Sequence, residues 1–409
     1  AIGSGAVNAY RQALSTTSNN IANVNTPGYT RRDLNIGESF PVKEGVFYFG
    51  SGASGQSIGR AYDEFIEKSL RDATSDLQVN EPVIQYANRI IDILGSKNSS
   101  LATAMDRFFN AAEQMSADPS AAPLRVDFLT ASGVVADRFS DLSRQVDLIA
   151  EESELALRDS VDQLNVLNKQ LFRVNEELNL KNDVDLQPPR LLDQRDKLLR
   201  EISSLVKIGV TELENGQVIV NFGGTGKGFE TVTPTGHREI GIFSDTKSGG
   251  TDLRLILDPA SVKRPLPSAP SGVLGGGMAF RADVLRPIRV GLDHLAKTFA
   301  AEINDVHRAG MDGLGEFGGD LFRVTTRFVA QTDTVTGAIS ASAKVVDPSK
   351  APTEALELMY IASLDSWEIR DLVTRERLGE ISSGQNVEFQ GISFDLTGSP
   401  VNGDVVIFS

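Results

Sequence analysis

The 409 residues, 40% hydrophobic and 23% charged, have the composition of an ordinary folded globular protein and a length that suits roughly two to four domains. An acidic balance of 55 against 40, net charge -15, argues against nucleic acid or an anionic membrane surface as partner. The absence of cysteine excludes disulfides, thiolate metal sites and cysteine nucleophiles. No run of about 18 apolar residues is present to cross a bilayer, and the first residues lack the charged, apolar and small-residue pattern of a secretory signal.

The most informative stretch is ALSTTSNNIANVNTPGYTR, Ala13–Arg31. Val7, Leu14 and Ile21 keep a seven-residue register, and Tyr10, Thr17 and Val24 keep a second one beside it, the pattern of a helix burying a narrow seam. Asn19, Asn20, Asn23 and Asn25 are poor helix formers, so an isolated helix of this length is marginal in water and is expected to order on binding. Asn25-Thr26-Pro27-Gly28 then ends the helix and turns the chain.

From Ala61 to about Val206 helical periodicity dominates. One helix is expected to carry Phe65, Leu70, Val83, Ile84, Ile90, Ile91 and Leu94 and to end at Gly95; a second, capped by Ser99 or Ser100, runs to Asp118-Pro119. A third, from about Leu124 to Lys181, repeats Phe128, Val135, Leu142 and Ile149, then slips by one and continues through Leu157, Leu164, Leu171 and Leu178. At about 1.5 Å per residue it would span roughly 85 Å, which suits an elongated shape. Asn168 and Asn175 lie beside this seam, where they either fix register or face solvent. After Pro188-Pro189, LLDQRDKLLREISSLV forms a further amphipathic helix.

Around Lys207 the period changes to two. Val210 to Phe222 alternates about Asn215-Gly216, a hairpin signal, and β structure extends to Leu257 before a Pro-rich link from Pro259 to Pro270. A helix returns from about Asp283 to Arg308; the glycine-rich GMDGLGEFGGD then leads into a second β region ending in alternating Ile392, Phe394 and Leu396 and in Val405 to Phe408. The fold class is multidomain α plus β: an elongated α-helical bundle stem carrying antiparallel β modules, with an N-terminal coiled-coil-type segment.

The N-terminal run resembles the signature of the bacterial flagellar axial proteins, the rod, hook and hook-associated families. Three further stretches are similar to one family of that group, hook-associated protein 1: LLDQRDKLLREISSLVKIGV, GVLGGGMAFRADVLRPIRVGLDHLAKTFAAEINDVHRAG with the loop after it, and VEFQGISFDLTGSPVNGDVVIF. The resemblance implies a non-enzymatic structural adaptor that joins hook to filament. Its expected partners are copies of itself, the hook protein, the second junction protein and, for the C-terminus, an export chaperone. It also implies an extracellular location in the flagellum, reached without a cleaved signal. The implied subunit interface is Val7, Tyr10, Leu14, Thr17, Asn19, Asn20, Ile21, Asn23, Val24, Pro27, Gly28, Tyr29 and Arg31. Expected domains are an axial segment 1–35, the first part of the stem 36–206, a β module 207–270, the second part of the stem 271–320 and a second β module 321–409. The family resembled continues into C-terminal helices that pair with the N-terminal one. This chain begins at Ala1 and stops at Ser409, so it reads as a piece of a longer protein.

Other chemistry is weakly signalled. His294 and His307 lack metal-ligand spacing. Gly226-Lys227 is followed by Gly228 where a phosphate loop needs Ser or Thr. In the stretch Asp312, Glu316 and Asp320, Leu314 occupies a position where a calcium loop needs oxygen. Trp367 reads as a core anchor of the second β region. Neither a metal, a cofactor nor a catalytic constellation is expected. The competing functional reading is an extracellular adhesin or carbohydrate-binding module on an axial-type stem, or another axial protein.

Overall fold

The computed structural model describes residues 2–44, 46–95, 100–224, 229–244, 253–258, 264–266, 271–323, 327–328, 330–333, 339–346, 350–352, 355–372 and 376–408. In chain order its elements are α1 (Ile2–Ala22), β1 (Arg32–Glu38), β2 (Val42–Glu44), β3 (Phe47–Phe49), β4 (Ala53–Arg60), α2 (Glu64–Gln78), α3 (Asn80–Leu94), α4 (Leu101–Ala117), α5 (Ala122–Leu178), α6 (Pro189–Leu205), β5 (Ile208–Glu212), β6 (Val218–Phe222), β7 (Glu230–Thr233), β8 (Gly236–His237), β9 (Ile240–Ser244), β10 (Leu253–Leu257) and β11 (Arg264–Pro265). Then come α7 (Gly272–Ala279), a π-helical turn Phe280–Leu285, α8 (Arg286–Ala309), β12 (Arg327–Phe328), β13 (Ala330–Asp333), β14 (Ile339–Val345), β15 (Leu356–Ile361), β16 (Ser366–Asp371), β17 (Arg377–Ser382), β18 (Gly384–Phe389), β19 (Ile392–Gly398) and β20 (Val405–Phe408). Long helices with several small antiparallel sheets make this a mixed α and β chain.

The chain divides into two units, Ala1–Ile84 with Leu155–Ile242 and Leu255–Met278, and Gln85–Glu154 with Phe243–Arg254 and Ala279–Ser409. In the first, the end of α5, α6 and the sheet β5-β6-β7-β8 share a core of Leu164, Leu171, Leu178, Leu199, Ile202, Val218, Val220 and Val232, all buried. The loop joining β5 to β6 turns at Gly216, whose φ of 82° is open to glycine without the Cβ clash. Asn175 is wholly buried in α5, donating through Nδ2 to the Val218 carbonyl at 2.8 Å and accepting from the Val218 amide at 2.9 Å. Asn165 makes the same pair with Ile240, at 2.8 Å each way. These amides act as a strand's backbone would, pinning the sheet to the helix. Asn168 is also buried, with no hydrogen bond to either amide atom among the described residues. Both Asn168 and Asn175 therefore face the core, not solvent.

Three helix boundaries differ from expectation. The single helix expected over residues 65 to 94 is two, α2 and α3, because Pro82 has no N–H for the Gln78 carbonyl and its ring opposes that residue's turn. Gly276 packs against the Val79 carbonyl at this break, where a Cβ would collide. The helix expected from Asp283 starts instead at Gly272, with a π turn at Phe280–Leu285. Pro287 cannot donate to the Asp283 carbonyl, so the ladder is rearranged there. The long helix runs Ala122–Leu178 with its heptad positions from Val135 to Leu178 buried.

The second unit holds an aromatic cluster, Phe108, Phe299, Phe128, Phe139 and Phe322, which joins α4, α5 and α8 to residues just beyond α8. Its β part has two antiparallel sheets, β12-β14-β19-β18 and β13-β20-β15-β16-β17, around Leu358, Trp367, Ile369, Phe394 and Phe408. Trp367 is buried as an anchor of this core, with Nε1 donating to Ser383 Oγ at 2.9 Å.

Candidate functional site

The helix α1 lies along the two-stranded sheet β1-β4, a pairing the sequence reading missed because its strands alternate only weakly, with Leu34 and Ile36 in one and Ile58 in the other. The inward face of α1 is built from small side chains. Ala9 is 2% exposed, Gly5, Ala6, Ala13 and Thr16 are half-buried, and a methyl on Gly5 would meet the Ala53 carbonyl at 3.4 Å. Small residues let the helix backbone approach the sheet closely. The large apolar residues go the other way: Val7, Tyr10, Leu14, Ile21 and Val24 are 54–76% exposed. At 3.6 residues per turn, Val7, Tyr10, Leu14, Thr17 and Ile21 fall within an arc of about 80°, a continuous ridge. It exposes on the order of 500 Å² of apolar surface, within the range of the largest patch on a soluble monomer, which is often functional.

The remaining expected interface residues divide between surface and framework. Thr17, Asn19, Pro27 and Arg31 are exposed. Asn20 turns inward: its Nδ2 donates to the Arg32 carbonyl at 2.8 Å, and its Oδ1 accepts from the Arg32 amide at 3.0 Å and the Tyr29 hydroxyl at 2.7 Å. Asn23 donates to the Asn19 carbonyl at 2.9 Å, closing the last turn, and Gly28 takes φ 83° where the chain reverses beside Lys197 and Arg200 of α6. Asn20, Asn23, Gly28 and Tyr29 thus hold the turn that presents the ridge.

What fastens this N-terminal assembly to the helical body is a buried charge network around Asp193, Arg195 and Asp196, the DQRD of α6. The sequence signals it only as charged residues interrupting an apolar helix. Arg195, 1% exposed, donates from Nε and Nη2 to Asp196 Oδ1 at 2.8 and 2.6 Å, from Nη2 to Glu212 Oε1 at 2.9 Å, and from Nη1 to the Gly216 carbonyl at 2.8 Å. Arg60 of β4 pairs with Asp193 at 2.9 Å and with Asp196, and Arg32 of β1 reaches Asp193 at 3.5 Å. Three cations thus face three carboxylates. Tyr62 completes the network, donating to Glu212 at 2.6 Å, with the Arg60 guanidinium 5.0 Å from its ring centre. Burial first, then the bond to Glu212, pushes the Tyr62 hydroxyl well above the ordinary tyrosine range.

The motifs weighed for chemistry resolve otherwise. Asp312 uses its carboxylate as an acceptor for the Leu314 and Glu316 amides at 2.8 and 2.9 Å, an Asx turn that holds its pKa below the usual range. His307 shares α8 with His294 and its Nδ1 lies 2.6 Å from the Gly319 carbonyl. Gly226, Lys227 and Gly228 lie outside the described residues. Among the described residues no group of three or more His, Asp or Glu is placed to hold a metal, and no helix is long and apolar enough to cross a membrane.

Residues 1–30, which hold this helix and the turn after it, match a family model described as flagella basal body rod protein. A second model, the flagellar hook-associated protein FlgK helical domain, matches residues 87–322, more than half of the chain, and the chain belongs to that family of structural flagellar components. Flagellar hook-associated protein 1 of Escherichia coli is 26% identical over 97% of this chain and 73% of its own length; that of Bacillus subtilis is 26% identical over 88% of this chain and 76% of its own. The Salmonella typhimurium relative, also 26% identical, is spanned over 66% of its length. The structure of the flagellar hook junction protein FlgK from Burkholderia pseudomallei shares the fold at a TM-score of 0.62 and 22% identity, covering 83% of this chain and 62% of that one.

Proposed function

We propose that the protein is an architectural, non-catalytic subunit that joins hook to filament in the bacterial flagellum, working through self-assembly and packing on neighbouring axial subunits. The observation that carries this reading is the orientation of α1, with alanine and glycine turned to its own sheet and Val7, Tyr10, Leu14 and Ile21 turned outward, followed by exposed Val24 in the turn after it. A contiguous apolar ridge of that size is among the largest that a soluble monomer exposes, and such patches are often functional. Family membership supports copies of this chain, the hook protein and the second junction protein as the covering neighbours, and an export chaperone and export without a cleaved signal as its route to the cell exterior.

Because α1 holds to its own sheet through small side chains, its helix is weak in the free subunit and is completed when neighbours bury the ridge. Leu14→Asp places a charge in that contact. It should reduce incorporation into flagella by on the order of 100-fold, the equivalent of about 3 kcal/mol, without lowering the melting temperature of the remainder. Incorporation at the wild-type level would refute the role of the ridge. Hydrogen exchange gives a second measurement: α1 amides are to exchange rapidly in the free subunit and slowly in isolated flagella.

A further inference from the structure

An asparagine that precedes glycine can modify itself. The glycine nitrogen, once a base in solvent has taken its proton, attacks the asparagine side-chain carbon, and glycine brings no Cβ against the five-membered ring that forms. Asparagine stands before glycine at two places in the chain, Asn215-Gly216 and Asn402-Gly403, and aspartate at one, Asp312-Gly313. The three sites differ in what must give way before the ring can close.

Asn215 is held from several sides. Its Oδ1 accepts from the Gln217 amide at 3.1 Å, its Nδ2 donates to Gln217 Oε1 at 2.8 Å, and the Gly216 amide donates to the Leu213 carbonyl at 2.8 Å. Two buried side chains from outside the turn then clamp its backbone: Gln187 donates to the Asn215 carbonyl and Arg195 to the Gly216 carbonyl, each at 2.8 Å. Gly216 lies so close to its neighbours that a Cβ there would meet Leu192 at 3.0 Å and Val184 at 3.2 Å. Asp312 is unreactive for a chemical reason. Ring closure on a carboxyl group needs its uncharged form, whereas the Glu316 and Leu314 amides hold Asp312 charged, with its pKa below the usual range.

Asn402 and Gly403 form the corner of the turn that leads into β20. Asn402 is exposed, and a Cβ built on Gly403 would meet nothing within 4 Å. The base of this turn is firm: Asp404, wholly buried, accepts from the Val401 amide at 2.7 Å, and its own amide donates to the Val401 carbonyl at 2.9 Å. Among the described residues the corner is held at two points, both at one end of the β15-β20 ladder. The Gly403 amide donates to the Tyr360 carbonyl at 3.0 Å, and Asn402 Oδ1 accepts at 3.0 Å from the amide of Ala362, which lies in the exposed turn between β15 and β16. The Ala362 amide polarises the side-chain carbonyl that would be attacked and faces the oxygen on which negative charge develops. The Gln217 amide does the same at Asn215, so polarisation does not separate the two sites; freedom of the backbone to open does.

We propose that Asn402 is a site of spontaneous deamidation in the folded protein, and that Asn215 is spared by its clamps. The Gly403 nitrogen bonds to Asn402 Cγ, the side-chain amide leaves as ammonia, and water then opens the ring at either carbonyl, leaving aspartate or isoaspartate. Water is consumed and ammonia released in equal number, with no oxidant or reductant. The product adds a negative charge two residues from buried Asp404, and isoaspartate lengthens the main chain inside the turn. The change is one-way, so it accumulates with the age of the subunit.

The test ages the purified chain at mildly alkaline pH, digests it at intervals and reads the peptides by mass spectrometry, with enzymatic methylation of isoaspartate as a second measure. Asn402 should convert with first-order kinetics and Asn215 about 100-fold more slowly, since opening the Asn215 turn breaks two further bonds from buried donors, one of them charged. In guanidinium chloride, where both turns are lost, the two should react at comparable rates. Asn402→Gln, whose longer side chain closes the ring poorly, should prevent the acidic form that otherwise accumulates on ion exchange. An unchanged Asn402 in the folded chain, or Asn215 converting as fast as Asn402, overturns the proposal. A gap between the sites that persists in guanidinium chloride overturns it too, because its cause would then lie in the neighbouring sequence and not in the fold.

Discussion

Arg195 offers the sharpest quantitative test of how the N-terminal assembly is held. Its guanidinium donates to Asp196, Glu212 and the Gly216 carbonyl and is almost wholly buried. Arg195→Met fills most of the volume and removes the charge, leaving Asp193, Asp196 and Glu212 to share Arg60 and Arg32. Breaking one partner out of a buried ion network costs about 3–5 kcal/mol, and an orphaned carbonyl adds to it; the Tyr62 bond to Glu212 and the Arg60 bond to Asp196 survive, which sets the expectation at the lower end, about 3–4 kcal/mol. At about 2–4 °C per kcal/mol, thermal unfolding followed by circular dichroism should show the melting temperature fall by roughly 6–16 °C. Arg195→Lys keeps the charge but not the fork, and should lose about half as much. Because the pairs are buried, the loss should persist at 1 M salt, where the Debye length is about 3 Å. A loss of less than about 2 °C, or one erased by salt, would show that these charges are solvated and that the network does not hold β1 and β4 to α6.

Two further outcomes follow from the same core. The folded state holds the Tyr62 proton more tightly than the unfolded chain does, since burial and the bond to Glu212 raise its pKa. Its contribution is intact below about pH 10, the unfolded tyrosine value, and is lost as pH rises beyond it; urea midpoints should therefore fall above pH 10, and that fall should flatten in Tyr62→Phe, which itself costs about 1 kcal/mol at neutral pH. Asn168 and Asn175 make an opposed pair one heptad apart. Asn175→Leu strands the Val218 amide and carbonyl and should cost about 2–4 kcal/mol in urea unfolding, whereas Asn168→Leu removes a buried amide that has no partner among the described residues and should stabilise by about 1 kcal/mol.

Much of the helical framework could be read directly from the order of residues. The heptads from Val135 to Leu178 define α5, Asn215-Gly216 places the β5-β6 turn, and Asn25 to Gly28 end the first helix, because each of these signals is local: periodicity, a missing amide hydrogen, a permitted positive φ. The seam of α1 was legible for the same reason. Pro82 and Pro287 were equally visible, but their consequences depended on how the flanking turns were accommodated, and only packing settled that α2 and α3 are separate and that α7 joins α8 through a π turn.

Amino-acid order alone decided which residues of α1 form an apolar line, and the family pattern that line belongs to. It could not decide which way the line faces, since a helix with small residues on one side and large ones on the other can bury either; the β1-β4 sheet takes the small side, and so Leu14 and its neighbours point outward. Nor could it reveal that Arg32, Arg60, Asp193, Arg195, Asp196 and Glu212 neutralise one another, because charges separated by as many as 180 residues in the chain, from Arg32 to Glu212, meet only once the sheet and α6 are in place. Periodicity is encoded locally, whereas orientation and charge pairing are properties of the packed chain.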